Sequence, residues 1–225
     1  MAVNNIISLM GPPCSGKGTL TNLCKKDRTF EIFSAGNFCR KSIEIGTDIG
    51  NLILKYSQNK SLIPDDLIVD VVSDWFLAKI SKKNIETKTI IFDGFPRTAK
   101  QATLFLDFLN KIGVNFNFKI IYLIISDEEV LKRAFSRLLC QNKDCQIVYS
   151  ENFLKNKSCE VCGSDLIKRA DDSFENIKNR LKKFIESSKK VLNFYASSNI
   201  RVEKIEVTNL KSLDLFENFK SKLIL

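Results

Sequence analysis

Gly11-Pro12-Pro13-Cys14-Ser15-Gly16-Lys17-Gly18-Thr19 lies between an apolar run, Asn5–Met10, and a helical pattern that begins at Lys17. It contains the G-x-x-x-x-G-K core of a P-loop. In such a loop glycines let successive backbone N–H groups turn inward, forming a concave anion site backed by a helix N-terminus. Lys17 adds a mobile charge that reaches the β- and γ-phosphates of a nucleotide. Gly18 follows the lysine, and the hydroxyl comes one place later, at Thr19. Many P-loops hold Mg²⁺ with a hydroxyl directly after the lysine. Here the metal is left to phosphates, water and a carboxylate.

Outward from the loop, Lys88–Phe92, Lys119–Ile124 and Arg201–Val207 are runs of β-branched and apolar residues that read as buried strands. Helical patterns fall at about 17–26, 64–82, 98–111, 127–139, 172–197 and 212–222. Pro64-Asp65-Asp66 suits a helix start, with proline at the entry and acids in the first turn. Strands alternating with helices imply an α/β fold, a parallel sheet covered on both faces. The segment Cys140–Lys168 breaks the alternation: it has two cysteine pairs, several turn formers and no helical period, and reads as an insertion.

The 225 residues suffice for one core with a small inserted subdomain or two, and the 44% hydrophobic and 27% charged composition is that of a globular protein. No apolar run approaches the roughly 18 residues that span a bilayer. Met1–Met10 lacks a basic n-region and a long apolar stretch, so no signal or transit peptide is expected, and the expected location is cytoplasmic. The chain has no histidine, which excludes Ser-His and Cys-His catalysis and histidine metal ligands. The net charge of +9 is compatible with nucleic acid, a membrane surface or small anions, but the basic residues are spread along a chain rich in Lys, Asn, Ile and Phe.

A second signature is Ile90-Ile91-Phe92-Asp93-Gly94-Phe95-Pro96-Arg97-Thr98. It sets an acid at the carboxyl end of a buried strand, where ligands of doubly wound sheets gather. Asp93 could orient hydrated Mg²⁺, Gly94 permits close backbone approach, and Arg97 offers a planar fork to a phosphate.

With Gln101 three residues after Thr98, the D-G-F-P-R-T stretch resembles the adenylate kinases, a family of nucleoside-monophosphate kinases, and the G-K-G-T form of the loop is similar to theirs. The resemblance runs from about Ile6 to Arg180. It implies a P-loop core with a five-stranded parallel sheet and helices on both faces. The core would comprise residues 1–34, 64–137 and 172–225, interrupted by a mononucleotide-binding insertion at 35–63 and a lid at 138–171. It further implies reversible, Mg²⁺-dependent phosphoryl transfer from ATP to AMP giving two ADP, by a monomer that needs neither nucleic acid nor membrane.

Ser34-Ala35-Gly36-Asn37-Phe38-Cys39-Arg40 is similar to the S-T-G-D-x-x-R stretch that opens the AMP site. By that resemblance Arg40 grips the AMP phosphate, Gly94 and Arg97 add contacts, and Gln101 reads adenine through its amide. Arg133 and Arg137, then Arg169 and Arg180, match the arginines around the ATP and the transferring phosphoryl group. Only eight of the 35 basic residues are arginines, and six of those eight stand at these motif positions. Lysine cannot replace a bidentate fork at phosphate. Two departures leave alternatives open. Ala35 resembles the UMP/CMP kinases, whereas Gln101 favours AMP; Asn37 stands where an acid is usual, thinning the carboxylates near Mg²⁺. A GTP-dependent AMP kinase also stays open.

Cys140-x₄-Cys145-x₁₃-Cys159-x₂-Cys162 has the two-knuckle spacing of a structural Cys₄ zinc site, with a wider first knuckle than the usual C-x₂-C. Reduced thiols without metal, or a disulfide, are the alternatives. The remaining cysteines, Cys14, Cys24 and Cys39, read as small packing residues. A nucleic-acid-binding zinc ribbon would need basic residues interleaved with aromatics here, and this segment lacks that pattern.

Overall fold

The computed structural model describes residues 4–58, 63–81, 87–113, 116–142, 145, 147–151, 154, 158–168, 172–208 and 210–223. Its elements are β1 (Asn5–Met10), α1 (Lys17–Cys24), β2 (Phe30–Ser34), α2 (Ala35–Ile45), α3 (Asp48–Gln58), α4 (Asp65–Ile80), β3 (Thr89–Asp93), α5 (Ala99–Ile112), β4 (Asn117–Ile124) and α6 (Asp127–Phe135). They continue with β5 (Arg137–Cys140), β6 (Val148–Ser150), β7 (Leu166–Lys168), α7 (Phe174–Ser197), β8 (Arg201–Glu206) and α8 (Ser212–Ser221).

Five strands form the parallel sheet in the order β2-β3-β1-β4-β8. Asn5 pairs with Thr89, and Thr89 with Phe30, so β3 lies between strands that precede it in the chain. Parallel neighbours need long crossovers, and the helices supply them. Ile6 and Ile7 point to opposite faces of β1, and both are fully buried. Neither face of that strand meets water, which is why it reads as a continuous apolar run.

The chain divides into two compact units. The first joins Met1–Met10, Asp27–Ile121 and Ser187–Glu203; the second joins Gly11–Lys26, Tyr122–Glu186 and Lys204–Leu225. In the first, Val69, Val72 and Phe76 of α4 and Phe105 and Leu109 of α5 pack on Ile6, Phe33, Ile90 and Phe92 of the sheet. Phenylalanines dominate this core: Phe105 meets Phe92 and Phe95 edge-on, with ring centroids 5.0 and 5.1 Å apart. Each such pair contributes about 0.5–1.5 kcal/mol beyond its buried area. Helices α2 and α3 meet at Gly50, where a Cβ would lie 1.9 Å from the Ser42 carbonyl oxygen. The Thr47 hydroxyl accepts from the Gly50 N–H and starts α3.

The second unit carries α1, α6, α8 and a three-stranded antiparallel sheet in the order β6-β5-β7. Two expectations need correcting. The helix expected over 127–139 ends at Phe135, and Arg137 opens β5 instead. Leu138 and Leu139 satisfy a helical period, but Leu138 sits between Tyr149 and Lys168 on two flanking strands, and that pairing prevails. Strand β2 is an addition to the expected strands, since Glu31 interrupts its apolar run. It is an edge strand, where the Glu31 carboxylate reaches Lys79 of α4 at 3.0 Å. Among the described residues no helix is long and apolar enough to cross a membrane.

Candidate active site

The phosphate loop belongs to the second unit. A Cβ on Gly11 would come within 2.6 Å of Ser15 Oγ and 3.0 Å of Leu123 Cβ, so no side chain fits there. Gly16 adopts the left-handed conformation at φ 92° and precedes α1, whose first N–H groups receive no side-chain cap. Those donors and the helix dipole are thus presented to the loop. Lys17 folds back over it, with Nζ donating to the carbonyls of Gly11 at 2.6 Å and Pro12 at 2.8 Å. The ammonium therefore sits where a loop-bound phosphate would want a counter-charge. Cys14 takes φ 60° at the loop's turn.

The arginines of this unit are oriented by carboxylates. Arg133 Nε donates to Glu129 at 2.9 Å and Nη2 to the Val207 carbonyl at 2.8 Å. Arg137 makes a bidentate pair with Asp172, its Nε 2.6 Å from Oδ2 and its Nη2 on Oδ1. Arg180 Nη1 approaches the same Oδ1 at 3.7 Å. The Arg137 and Asp172 side chains are only 11% and 6% exposed. Burial pushes the Cys14 thiol above its ordinary range, and the charges of Arg137, Asp172, Arg180 and Lys17 all act on it. Three cations and one carboxylate thus act electrostatically on the thiol at the turn of the loop, a surplus of positive charge suited to a polyanion. Arg169 lies outside the described residues.

A second group of predicted residues assembles in the first unit. Asp93, at the end of β3, accepts from the Ser34 hydroxyl at 3.1 Å. Gly94 follows at φ 73°, and a Cβ on it would approach Arg97 Nη2 to 3.1 Å. Both its backbone angle and the overlying guanidinium therefore favour glycine. Arg97 Nε donates to the Gly94 carbonyl at 2.8 Å. Arg40 donates to the Asn37 amide oxygen one helical turn away. Burial pushes the Cys39 thiol up, opposed first by Arg97 and then by Arg40, so both guanidinium groups lie near it. Ala35, the first residue of α2, is buried. Gln101 is buried too, its amide bonded to the Arg97 N–H and to Asp65, each at 2.8 Å.

The four clustered cysteines converge. Cys140 and Cys162 sulfurs are 3.3 Å apart, those of Cys145 and Cys159 3.7 Å, and all four lie within 4.8 Å of one another. A tetrahedral zinc thiolate site, with bonds of about 2.3 Å, sets sulfurs about 3.8 Å apart. A disulfide would need about 2.05 Å, and all four thiols are free. Gly163, at φ 74°, donates to the Cys159 carbonyl at 2.8 Å and closes the second knuckle. Burial pushes Cys140 up to about 12. Burial also opposes ionisation of Cys159, but the Tyr149 hydroxyl and the N–H groups of Cys162 and Val161 outweigh it and bring that thiol down to about 6. The donor set fits a soft divalent cation.

Several supporting contacts go beyond what the motifs imply. Asn37 lies three residues before Arg40 and Glu129 four before Arg133, spacings that place side chains together on a helix. Ser34 and Tyr149, which bonds Cys159 at 3.2 Å, carry no such signal. Neither does Asp65, separated from Gln101 by 36 positions.

A model of the family described as adenylate kinase matches residues 9–200. The adenylate kinase of Chlamydia felis is 34% identical over 198 residues, which cover 87% of this chain and 87% of its own. That of Borreliella burgdorferi is 34% identical over 218 residues, 96% of this chain and 94% of its own. That of Hydrogenobaculum sp. is 32% identical over 223 residues, 97% of this chain and 100% of its own. With these matches running through the phosphate loop and both arginine groups, the chain belongs to the adenylate kinase family of nucleotide phosphotransferases.

Proposed function

We infer that the chain transfers the γ-phosphoryl group of ATP reversibly to AMP, giving two ADP. The observation that carries this most directly is Lys17 folded over a glycine-shaped loop ahead of an uncapped helix N-terminus, in the same unit as the Arg137–Asp172–Arg180 group. In this reading the loop from Gly11 to Thr19 cradles the ATP phosphates, and Lys17 moves from its own loop carbonyls to the transferring group. Arg133, Arg137, Arg169 and Arg180 neutralise charge there, and Asp172 hands Arg137 over to phosphate. Arg40 and Arg97 hold the AMP phosphate, with Gly94 making room and Gln101 and Ala35 beside the nucleoside. Asp93, which already accepts from Ser34, would be the carboxylate that helps to hold the Mg²⁺ of the substrate, whose role is to neutralise phosphate charge. The nucleophile is already a phosphate oxygen, so the residues position, neutralise and exclude water. The flap at 35–63 and the lid at 138–171 would close over their nucleotides. Cys140, Cys145, Cys159 and Cys162 would hold zinc, which supplies folding energy to a lid too small for a core of its own. The enzyme acts as a cytoplasmic monomer on ATP and AMP alone.

ADP formation from ATP and Mg²⁺, with AMP, UMP, CMP and GMP as acceptors in turn, tests this. Turnover with AMP that falls at least about 100-fold in Arg97→Ala is expected; turnover only with UMP or CMP would overturn the AMP assignment. Metal analysis should find one zinc per chain, lost in Cys159→Ser with a drop in Tm of roughly 5 °C. Metal-free protein with an unaltered Tm would refute the lid assignment.

A further inference from the structure

Gln101 is 6% exposed, and its amide is engaged at both ends. Oε1 accepts from the backbone N–H of Arg97, and Nε2 donates to Asp65 Oδ1, both at 2.8 Å. The two partners are chemically opposite. A backbone N–H only donates and a carboxylate only accepts. Turning the amide over would set its NH₂ against an N–H and its oxygen against a carboxylate, and a buried amide left so mismatched is costly. The orientation of Gln101 is therefore dictated by its neighbours. Asp65 is itself fixed as the first residue of α4, and the adjacent Asp66–Lys100 ion pair, 2.6 Å long, ties the starts of α4 and α5 together.

We propose that Asp65 is a positioning residue that sets the polarity of Gln101 and thereby makes the enzyme select a 6-amino over a 6-oxo purine monophosphate. The proposal rests on the reading above, in which Gln101 faces the base of AMP. One amide hydrogen and one lone pair of Oε1 remain, and pinning presents them in a single order. Adenine answers that order, with its N6 amino group donating and N1 accepting. Hypoxanthine has the same skeleton with both senses reversed, O6 accepting and N1–H donating. An amide free to turn would serve either base. Because AMP and IMP share ribose and phosphate, Arg40 and Arg97 act alike on both and cancel in the ratio.

The test is kcat/KM for AMP and for IMP, with ATP and Mg²⁺, in the full chain and in Asp65→Asn, Asp65→Ser and Gln101→Leu. A site built on such hydrogen bonds discriminates by about 10⁴-fold. An asparagine amide can donate or accept, which removes one of the two constraints on Gln101 and leaves only the Arg97 N–H, so in Asp65→Asn the AMP-over-IMP ratio is expected to fall at least about tenfold, chiefly through a lower KM for IMP. Asp65→Ser, checked for folding by its melting curve, should lower the ratio likewise and serves if the asparagine variant does not fold. A wild-type ratio in both folded Asp65 variants, with a collapsed ratio in Gln101→Leu, overturns the positioning role alone. A ratio that survives Gln101→Leu overturns the placement of Gln101 at the base, and the inference with it.

Discussion

The two units hold the arginines proposed for phosphate differently. In the second, carboxylates do it: Glu129 takes Arg133, and Asp172 takes Arg137 in a nearly buried bidentate pair. In the first, neutral oxygens take part: the Asn37 amide receives Arg40 and the Gly94 carbonyl receives Arg97. A neutral acceptor aims a guanidinium without cancelling its charge. A carboxylate aims it more firmly but would have to be displaced, or shared, by a phosphate. The unit with the phosphate loop can carry that subtraction because Lys17 and Arg180 add to Arg137. A polyphosphate brings enough charge to compete with Asp172, whereas a monophosphate would gain less from doing so. The carboxylate-held cluster suits the more highly charged nucleotide.

The largest effect expected from probing this difference is on catalysis. Lys17→Ala removes the cation that folds back onto the loop's own carbonyls, and should lower kcat about 10³-fold, or about 4 kcal/mol. Steady-state kinetics at saturating ATP and AMP measure it, and a loss below tenfold would remove Lys17 from the transferring group. Next comes stability: Asp172→Asn leaves Arg137 buried without its bidentate counter-charge, which should cost about 3 kcal/mol in a denaturant melt. The smallest is Asn37→Ala, which breaks an exposed contact and should cost about 0.5 kcal/mol by the same melt, with a raised KM for AMP as its clearer mark. Equal destabilisation by the last two would erase the distinction between the units.

The phosphate loop was legible in sequence because chemistry constrains consecutive positions: Gly11, Gly16 and Lys17 are each demanded by backbone angle, close approach or charge. The same holds for Asp93-Gly94-Phe95-Pro96-Arg97, and for the cysteine quartet, whose two-pair spacing anticipates that the four sulfurs converge. What escaped depends on partners far off in the chain. The end of α6 at Phe135 is decided by β6 and β7, not by residues 136–139 themselves. Strand β2 hid behind Glu31, a residue acceptable only because that strand lies at an edge. Gln101 could be picked out, but not the carboxylate that orients it, since nothing near Asp65 announces the contact.

The meeting of α2 and α3 at Gly50 has a mechanical consequence. With the Gly50 backbone seated against the Ser42 carbonyl, the two helices have almost no clearance to slide or roll on each other. They form a stiff hairpin, a lever with Arg40 fixed to one arm. Leverage of this kind needs no charge and no nucleotide contact. The backbone that carries Arg40 is thus braced from a position ten residues further on, and even one added methyl group there would meet the Ser42 carbonyl and part the two arms.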